Sequence, residues 1–126
     1  IVCHNQKGLS YNYYFTKEDE LEKEHLWRYF ENRDELELSL KLKDMSEGTY
    51  QIKVYRINEK NGSVISIWGE LDYEKGLSRN DIKYFRRVCE PKLTIQKMKT
   101  EQNEMNLNIK LIANEIAFIR IRKISE

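Results

Sequence analysis

The residues able to do chemistry in this chain are few and scattered. Tyr11, Tyr13, Tyr14 and Phe15 form an aromatic cluster, and Trp68 follows a candidate turn far downstream. Flat aromatic faces stack on sugar rings or bases, but tyrosines also fill the rims of ordinary sheets. These residues therefore read either as a sugar-stacking or docking platform or as packing. No lysine or arginine interleaves the cluster, which argues against a nucleic-acid platform there. His4 and His25 are the two histidines, and neither has a carboxylate or cysteine at zinc-type spacing. Both are expected to be structural or surface residues, so no metal site is expected. The two cysteines, Cys3 and Cys89, make neither a disulfide framework nor a zinc motif. Free thiols are the plain reading, and spacing alone leaves a single bridge open.

Length and charge narrow the classes further. The 126 residues suit one domain covering the whole chain. They are far too few for a barrel enzyme of about 250 residues. Lysine and arginine number 22 against 21 aspartates and glutamates, a net charge of +1, so overall charge selects no nucleic acid or anionic lipid. No run approaches the roughly 20 apolar residues of a membrane span. The longest candidate, Ile116 to Ile124, is broken by Arg120, Arg122 and Lys123. A soluble, cytoplasmic domain without membrane contact is expected. The opening Ile1-Val2-Cys3 looks like a strand cut from a longer polypeptide.

The elements that must position these residues are mostly strands. Leu36, Leu38, Leu40 and Leu42 alternate with Glu37, Ser39, Lys41 and Lys43, the period-two signature of a half-buried strand. After Asp44 to Gly48, Thr49 to Ile57 supplies a second strand, expected antiparallel to the first. Asn61-Gly62 suits a tight hairpin, so Ser63 to Trp68 is expected to complete a three-strand meander. Ile1 to Asn5, Lys92 to Thr100, Asn106 to Leu111 and Ile116 to Ile124 are further strands, with Ala117, Ile119 and Ile121 facing inward. Two helices are expected. One runs from a Thr16 cap through Leu21, Leu26, Tyr29 and Phe30. The other starts at Ser78, presents Ile82, Phe85 and Cys89 on one face, and stops at Glu90-Pro91. Lys83, Arg86 and Arg87 make its outer side basic, which reads as a solvated face. About seven strands with one or two short helical insertions make an all-β, antiparallel β-sandwich, since a single sheet this apolar would leave one face uncovered.

Tyr55-Arg56-Ile57-Asn58-Glu59-Lys60-Asn61-Gly62, followed by Trp68-Gly69, resembles the C-terminal β-sandwich of glycoside hydrolase family 39, the β-xylosidase family. Asn58 departs from that pattern, which usually has aspartate. Leu77 to Arg87 and then Pro91-Lys92-Leu93 look more like the homologous tail of AraC-type transcriptional regulators that contain a family-39-like region. Tyr11 to Phe15 and Tyr29-Phe30-Glu31 to Leu36 fit that tail too. The resemblance implies a non-catalytic accessory module beside a barrel-like domain on its N-terminal side, bordering a sugar pocket. The family's acid/base and nucleophilic glutamates lie on barrel strands absent from this chain. Retaining hydrolysis needs carboxylates about 5 Å apart, a geometry no glutamate pair here is spaced to make. Contact with DNA would come only through other domains of the parent. No catalytic, metal-binding or cofactor-binding residue is therefore expected. Two alternatives follow: the accessory domain of a family 39 β-xylosidase, or a carbohydrate-binding module stacking on Tyr11, Tyr13, Tyr14 or Trp68.

Overall fold

The computed structural model describes residues 1–125, without the side chains of Glu18, Lys23 and Glu24. Glu18, an acidic residue near the positive end of the helix expected after Thr16, and Lys23, expected on the outer face of that helix, have side chains outside the described ones. Six strands form two antiparallel sheets, as the alternating sequence requires. Strands β1 (Val2–His4), β6 (Ile116–Ser125), β3 (Thr49–Ile57) and β4 (Lys92–Lys99) lie in that order in the larger sheet. Strand β2 (Leu36–Leu42) pairs with β5 (Met105–Leu111) in a second, two-stranded sheet.

The core fills the space between the sheets. Ile52, Val54, Ala117 and Ile119 come from the larger sheet; Met105, Leu107, Ile109 and Leu111 come from β5. The β2 leucines 36, 38, 40 and 42 close it, each half-buried. Every one of these positions obeys the period of two, so one face of each strand faces the core. Ile52, Leu107, Leu111 and Ile119 are the largest fully buried side chains.

The expected meander does not form. Strand β2 pairs with β5, not with β3, and residues 63–68 fold as part of a helix, α2 (Val64–Gly69), not a strand. The reason is topological: β3 is hydrogen-bonded to β6 on one edge and β4 on the other along nearly its whole length. No edge of β3 remains for a hairpin partner, so the β-branched run Val64-Ile65 yields to tertiary context. Gly62 still takes the left-handed geometry, at φ +73, but the turn it closes leads into a helix.

The Ser78 helix forms as read: α3 (Arg79–Val88) has a reciprocal capping box between Ser78 and Asp81, with Phe85 buried and Ile82 largely exposed. The segment after Thr16 is not one α-helix. A short helix, α1 (Tyr11–Tyr14), precedes it, and the Thr16 hydroxyl bonds back to the Asn12 carbonyl instead of capping forward. Two 3-10 turns follow, Glu18–Glu20 and Lys23–Tyr29, the latter kinked at His25. The five-residue step from Leu21 to Leu26 does not match a 3.6-residue period, which fits that break. Cys3 is buried on β1 and Cys89 half-buried at the end of α3; both are free thiols. Among the described residues no helix is long and apolar enough to cross a membrane.

Candidate functional site: a sheet face, a cleft and a buried carboxylate

The four aromatic residues picked out by type lie on two separate elements. Tyr11 and Tyr14 stand out from α1 at 80% and 68% exposure, with Tyr13 less exposed. Tyr11 and Phe15 have rings 6.4 Å apart and within 20° of parallel, whereas Tyr13 and Tyr14 meet edge to face. Trp68 sits half-buried on α2, its indole N–H donating to the Glu74 carbonyl at 2.7 Å and its ring against Tyr73. None of the four lines either of the two clefts described below.

A polar lock lies at the end of the sandwich where β3 leaves the sheet and the β5–β6 turn enters it. Glu115 is 3% exposed, and its carboxylate accepts from Arg56 Nη1 at 2.9 Å, Asn58 Nδ2 at 2.6 Å and the Ile112 N–H at 3.2 Å. Asn58 Oδ1 accepts from the backbone N–H groups of Lys60 and Asn61, bending the chain after β3. Asn5 Nδ2 donates to the carbonyls of Asp34, Leu111 and Ile112, and Asn114 N–H donates to the Asn5 carbonyl. A buried carboxylate is tolerated only when its lone pairs are filled in this way. With its oxygens so occupied, Glu115 is held as a structural group, not presented as an acid or base.

Over this lock opens a cleft of about 520 Å³. Leu26, Trp27 and Phe30 form one wall, and Ile57, Ile65 and Tyr73 face them. Two arginines attend the Trp27 ring, Arg28 at 5.5 Å and Arg33 at 5.1 Å from its centroid. Arg33 also pairs with Glu59 at 3.0 Å. A smaller groove of about 290 Å³ lies alongside, between Val2, His4, Gln6, Asn114, Glu115 and Ile116. Trp27 carries no periodic signal in the sequence, since it belongs to an irregular 3-10 segment, and type alone did not single it out.

The most distinctive surface is the outer face of the larger sheet. The two-stranded sheet shows the usual outer face: polar residues of both signs, with Lys110 pairing Glu35 at 2.8 Å and Lys41 pairing Glu104 at 3.3 Å. The larger sheet differs. Val2, Phe118, Tyr55 and Leu93 form one transverse row across all four strands, in direct cross-strand register. Ile57 and Ile116 flank that row on one side and Ile95 on the other, and exposures of 45% for Phe118 and 55% for Ile95 leave it open to solvent. The face turns basic in the row of Ile95 itself, which holds Lys53 and Arg120, and stays basic beyond it with Arg122, Lys97 and Lys99. Strands β1, β3, β4 and β6 contain no aspartate or glutamate. Lys53 lies directly opposite Arg120, a like-charge cross-strand pair that costs stability.

No family model matches the chain. It is similar to an uncharacterized HTH-type transcriptional regulator of Staphylococcus aureus (strain MRSA252), at 28% identity over 86 residues, 68% of this chain and 11% of the regulator. A counterpart in Staphylococcus aureus (strain N315) is 27% identical over the same length. The chain thus spans about a tenth of the length of these regulators. Among solved structures, a monomeric β-xylosidase from Caulobacter crescentus CB15 aligns with 97% of this chain and 23% of its own, at TM-score 0.64 and 11% identity. A GH39 enzyme from Xanthomonas axonopodis pv. citri aligns with 74% of this chain and 19% of its own, at TM-score 0.59 and 13% identity. The two comparisons point to two kinds of relative: the chain has the antiparallel β fold found within glycoside hydrolase family 39 β-xylosidase-type enzymes, and its sequence is similar to a stretch of HTH-type transcriptional regulators.

Proposed function

We propose that residues 1–126 are the accessory β-sandwich of an AraC-type transcriptional regulator with a family-39-like region, bracing a sugar-sensing, barrel-like domain on their N-terminal side. The module catalyses nothing itself, works in the cytoplasm, and meets DNA only through other domains of its parent. The observation that carries this reading is the outer face of the larger sheet. An antiparallel sheet at a protein surface ordinarily turns polar residues to water, whereas here a continuous apolar row crosses four strands. Exposed contiguous apolar surface of this kind marks a docking site. Similarity to a short stretch of much longer regulators supports a larger parent: most of the relative's polypeptide lies outside the matched segment.

The absence of catalysis is supported by the carboxylates. Among the described residues Glu59 is the only acidic one lining the larger cleft, and Arg33 holds it. Retaining glycosidases require two carboxyl groups about 5 Å apart across the bond they cleave. Purified chain incubated with a nitrophenyl xyloside should release no product. The parent polypeptide should bind xylo-oligosaccharides, and deleting this module should weaken that binding or the stability of the parent. Turnover by the isolated chain, or a parent indifferent to the deletion, would overturn the reading. The same bracing role in a family 39 β-xylosidase is the alternative, and turnover by the parent itself would establish it.

One observation favours a second reading. The near-parallel rings of Tyr11 on α1 and Phe15 at its end are exposed and offer apolar faces to a sugar ring, with Tyr13, Tyr14 and Trp68 as further stacking or docking residues. A carbohydrate-binding module would respond to xylo-oligosaccharides by shifting tyrosine resonances of α1 in the isolated chain, and unchanged resonances would dismiss it.

A further inference from the structure

The docking face has two halves of different chemistry, and the second half specifies the partner. Resting on the docking reading above, we infer that the surface covering the larger sheet is acidic: an apolar ridge on the barrel-like domain of the parent, bordered by a cluster of carboxylates that meets Lys53, Lys97, Lys99, Arg120 and Arg122.

Three features of the sheet converge on this. First, the charge is segregated far beyond what composition explains. The whole chain balances 22 basic against 21 acidic residues, yet the four strands of this sheet hold no carboxylate at all. Second, the five outward cations have no ion-pair partner among the described residues, while Lys41 and Lys110 on the opposite sheet each pair with a glutamate. Arg122 reaches the neutral Gln51 amide, at 3.4 Å. Third, Lys53 and Arg120 face each other across adjacent strands, an arrangement that disfavours the isolated fold and that an opposing carboxylate would reverse.

The apolar half decides what kind of anion is involved. Phosphate backbones would satisfy the cations but leave Val2, Leu93, Ile95 and Ile116 in water. Nucleic-acid platforms on sheets present aromatic faces for stacking, and here Tyr55 and Phe118 are tilted 47° against each other among aliphatic neighbours. A protein surface with an apolar centre and an acidic margin satisfies both halves together. A second copy of this face does not, because its four strands bring no carboxylate to answer the cations.

The test is binding between this chain and the remaining polypeptide of its parent, expressed separately and mixed. Affinity is measured for the wild type, for Phe118→Ser with Leu93→Ser, and for Lys53→Glu with Arg120→Glu. All four positions are at least partly exposed, and circular dichroism checks that each variant stays folded. The expected result is that the apolar pair weakens binding at every salt concentration. The charge-reversed pair should weaken it at least about tenfold at about 50 mM salt and much less at about 1 M, where the screening length falls to about 3 Å. If the apolar pair weakens binding and the charge-reversed pair does not, the docking reading stands and the acidic partner is overturned. If neither pair changes binding, the docking reading itself fails. Salt-sensitive binding of the isolated chain to a single-stranded oligonucleotide, lost on charge reversal while the parent polypeptide is ignored, would assign the basic half to nucleic acid and overturn the inference. Concentration-dependent dimerisation abolished by the apolar pair would assign the face to a second copy and overturn it as well.

Discussion

Changing Asn58 to aspartate, the residue that the family 39 pattern usually places there, should destabilise this chain in a pH-dependent way. Asn58 Oδ1 would survive as an acceptor for Lys60 and Asn61, so the turn after β3 has no reason to change. Its amide, however, donates to Glu115 at 2.6 Å, and the aspartate would set a second carboxylate oxygen against the first. Two unit charges about 3 Å apart repel by roughly 5 kcal/mol at an effective dielectric of about 20. Losing the donated bond adds about 1–3 kcal/mol. Arg56, 2.9 Å from Glu115, offsets part of this, and the variant pair can escape the rest by keeping one proton. A net loss of about 3 kcal/mol at neutral pH is expected, lowering Tm by roughly 10 °C in a domain of this size. The sign with pH follows from linkage. In Asn58→Asp the folded pair holds a proton that the unfolded chain releases above about pH 4, so stability falls as pH rises through that window. Urea melts of wild type and variant at about pH 4 and pH 7 measure the difference. Equal stability at pH 7, or a deficit that grows on acidification, would refute the assignment of Glu115 and Asn58 as a closed donor–acceptor pair.

Other consequences follow from packing, capping and charge. Leu107→Ala removes one of the largest fully buried side chains and should cost about 3 kcal/mol by urea unfolding. Ser78→Ala opens the capping box of α3 and should cost about 1 kcal/mol by thermal melts, with amide exchange accelerating at Asp81, whose N–H the Ser78 hydroxyl holds. The Lys110 ammonium titrates above its usual 10.5 because Glu35 hydrogen-bonds it and attracts its charge. Its contribution is therefore in place below 10.5 and lost as pH rises through the raised value. Glu35→Gln should return the Lys110 titration towards its ordinary position when followed by NMR.

Much of the fold was legible because alternation reports which face of a strand is buried. Leu36 to Leu42 and Leu107 to Leu111 are buried or half-buried on one side, as the pattern required, and Ala117, Ile119 and Ile121 turn inward on β6. Alternation does not name a strand's neighbour, and that is where the reading failed. Strand β2 found β5 across the chain, β3 filled both of its edges, and Val64 to Trp68 was left to coil into α2. Leu93 and Ile95 share one side of their strand, but whether that side is core or surface depends on their register opposite Tyr55 and Lys53 of β3, which face away from the core. The docking face was hidden for the same reason. Phe118, Tyr55 and Leu93 are separated by up to 63 positions in sequence and become one row only through register. Aromatic type drew attention to Tyr11 and Trp68, while the cleft formed around Trp27, whose surroundings are assembled from four separate segments.

The central claim is that the outer face of the larger sheet is covered in the parent polypeptide. Hydroxyl-radical footprinting measures this directly, by comparing side-chain oxidation of Phe118, Leu93 and Ile95 in the isolated chain and in the parent, with exposed Val64 and Ile65 of α2 as internal reference. Oxidation at the three sheet positions should fall several-fold in the parent while the α2 residues change little. Equal oxidation in both would contradict the account.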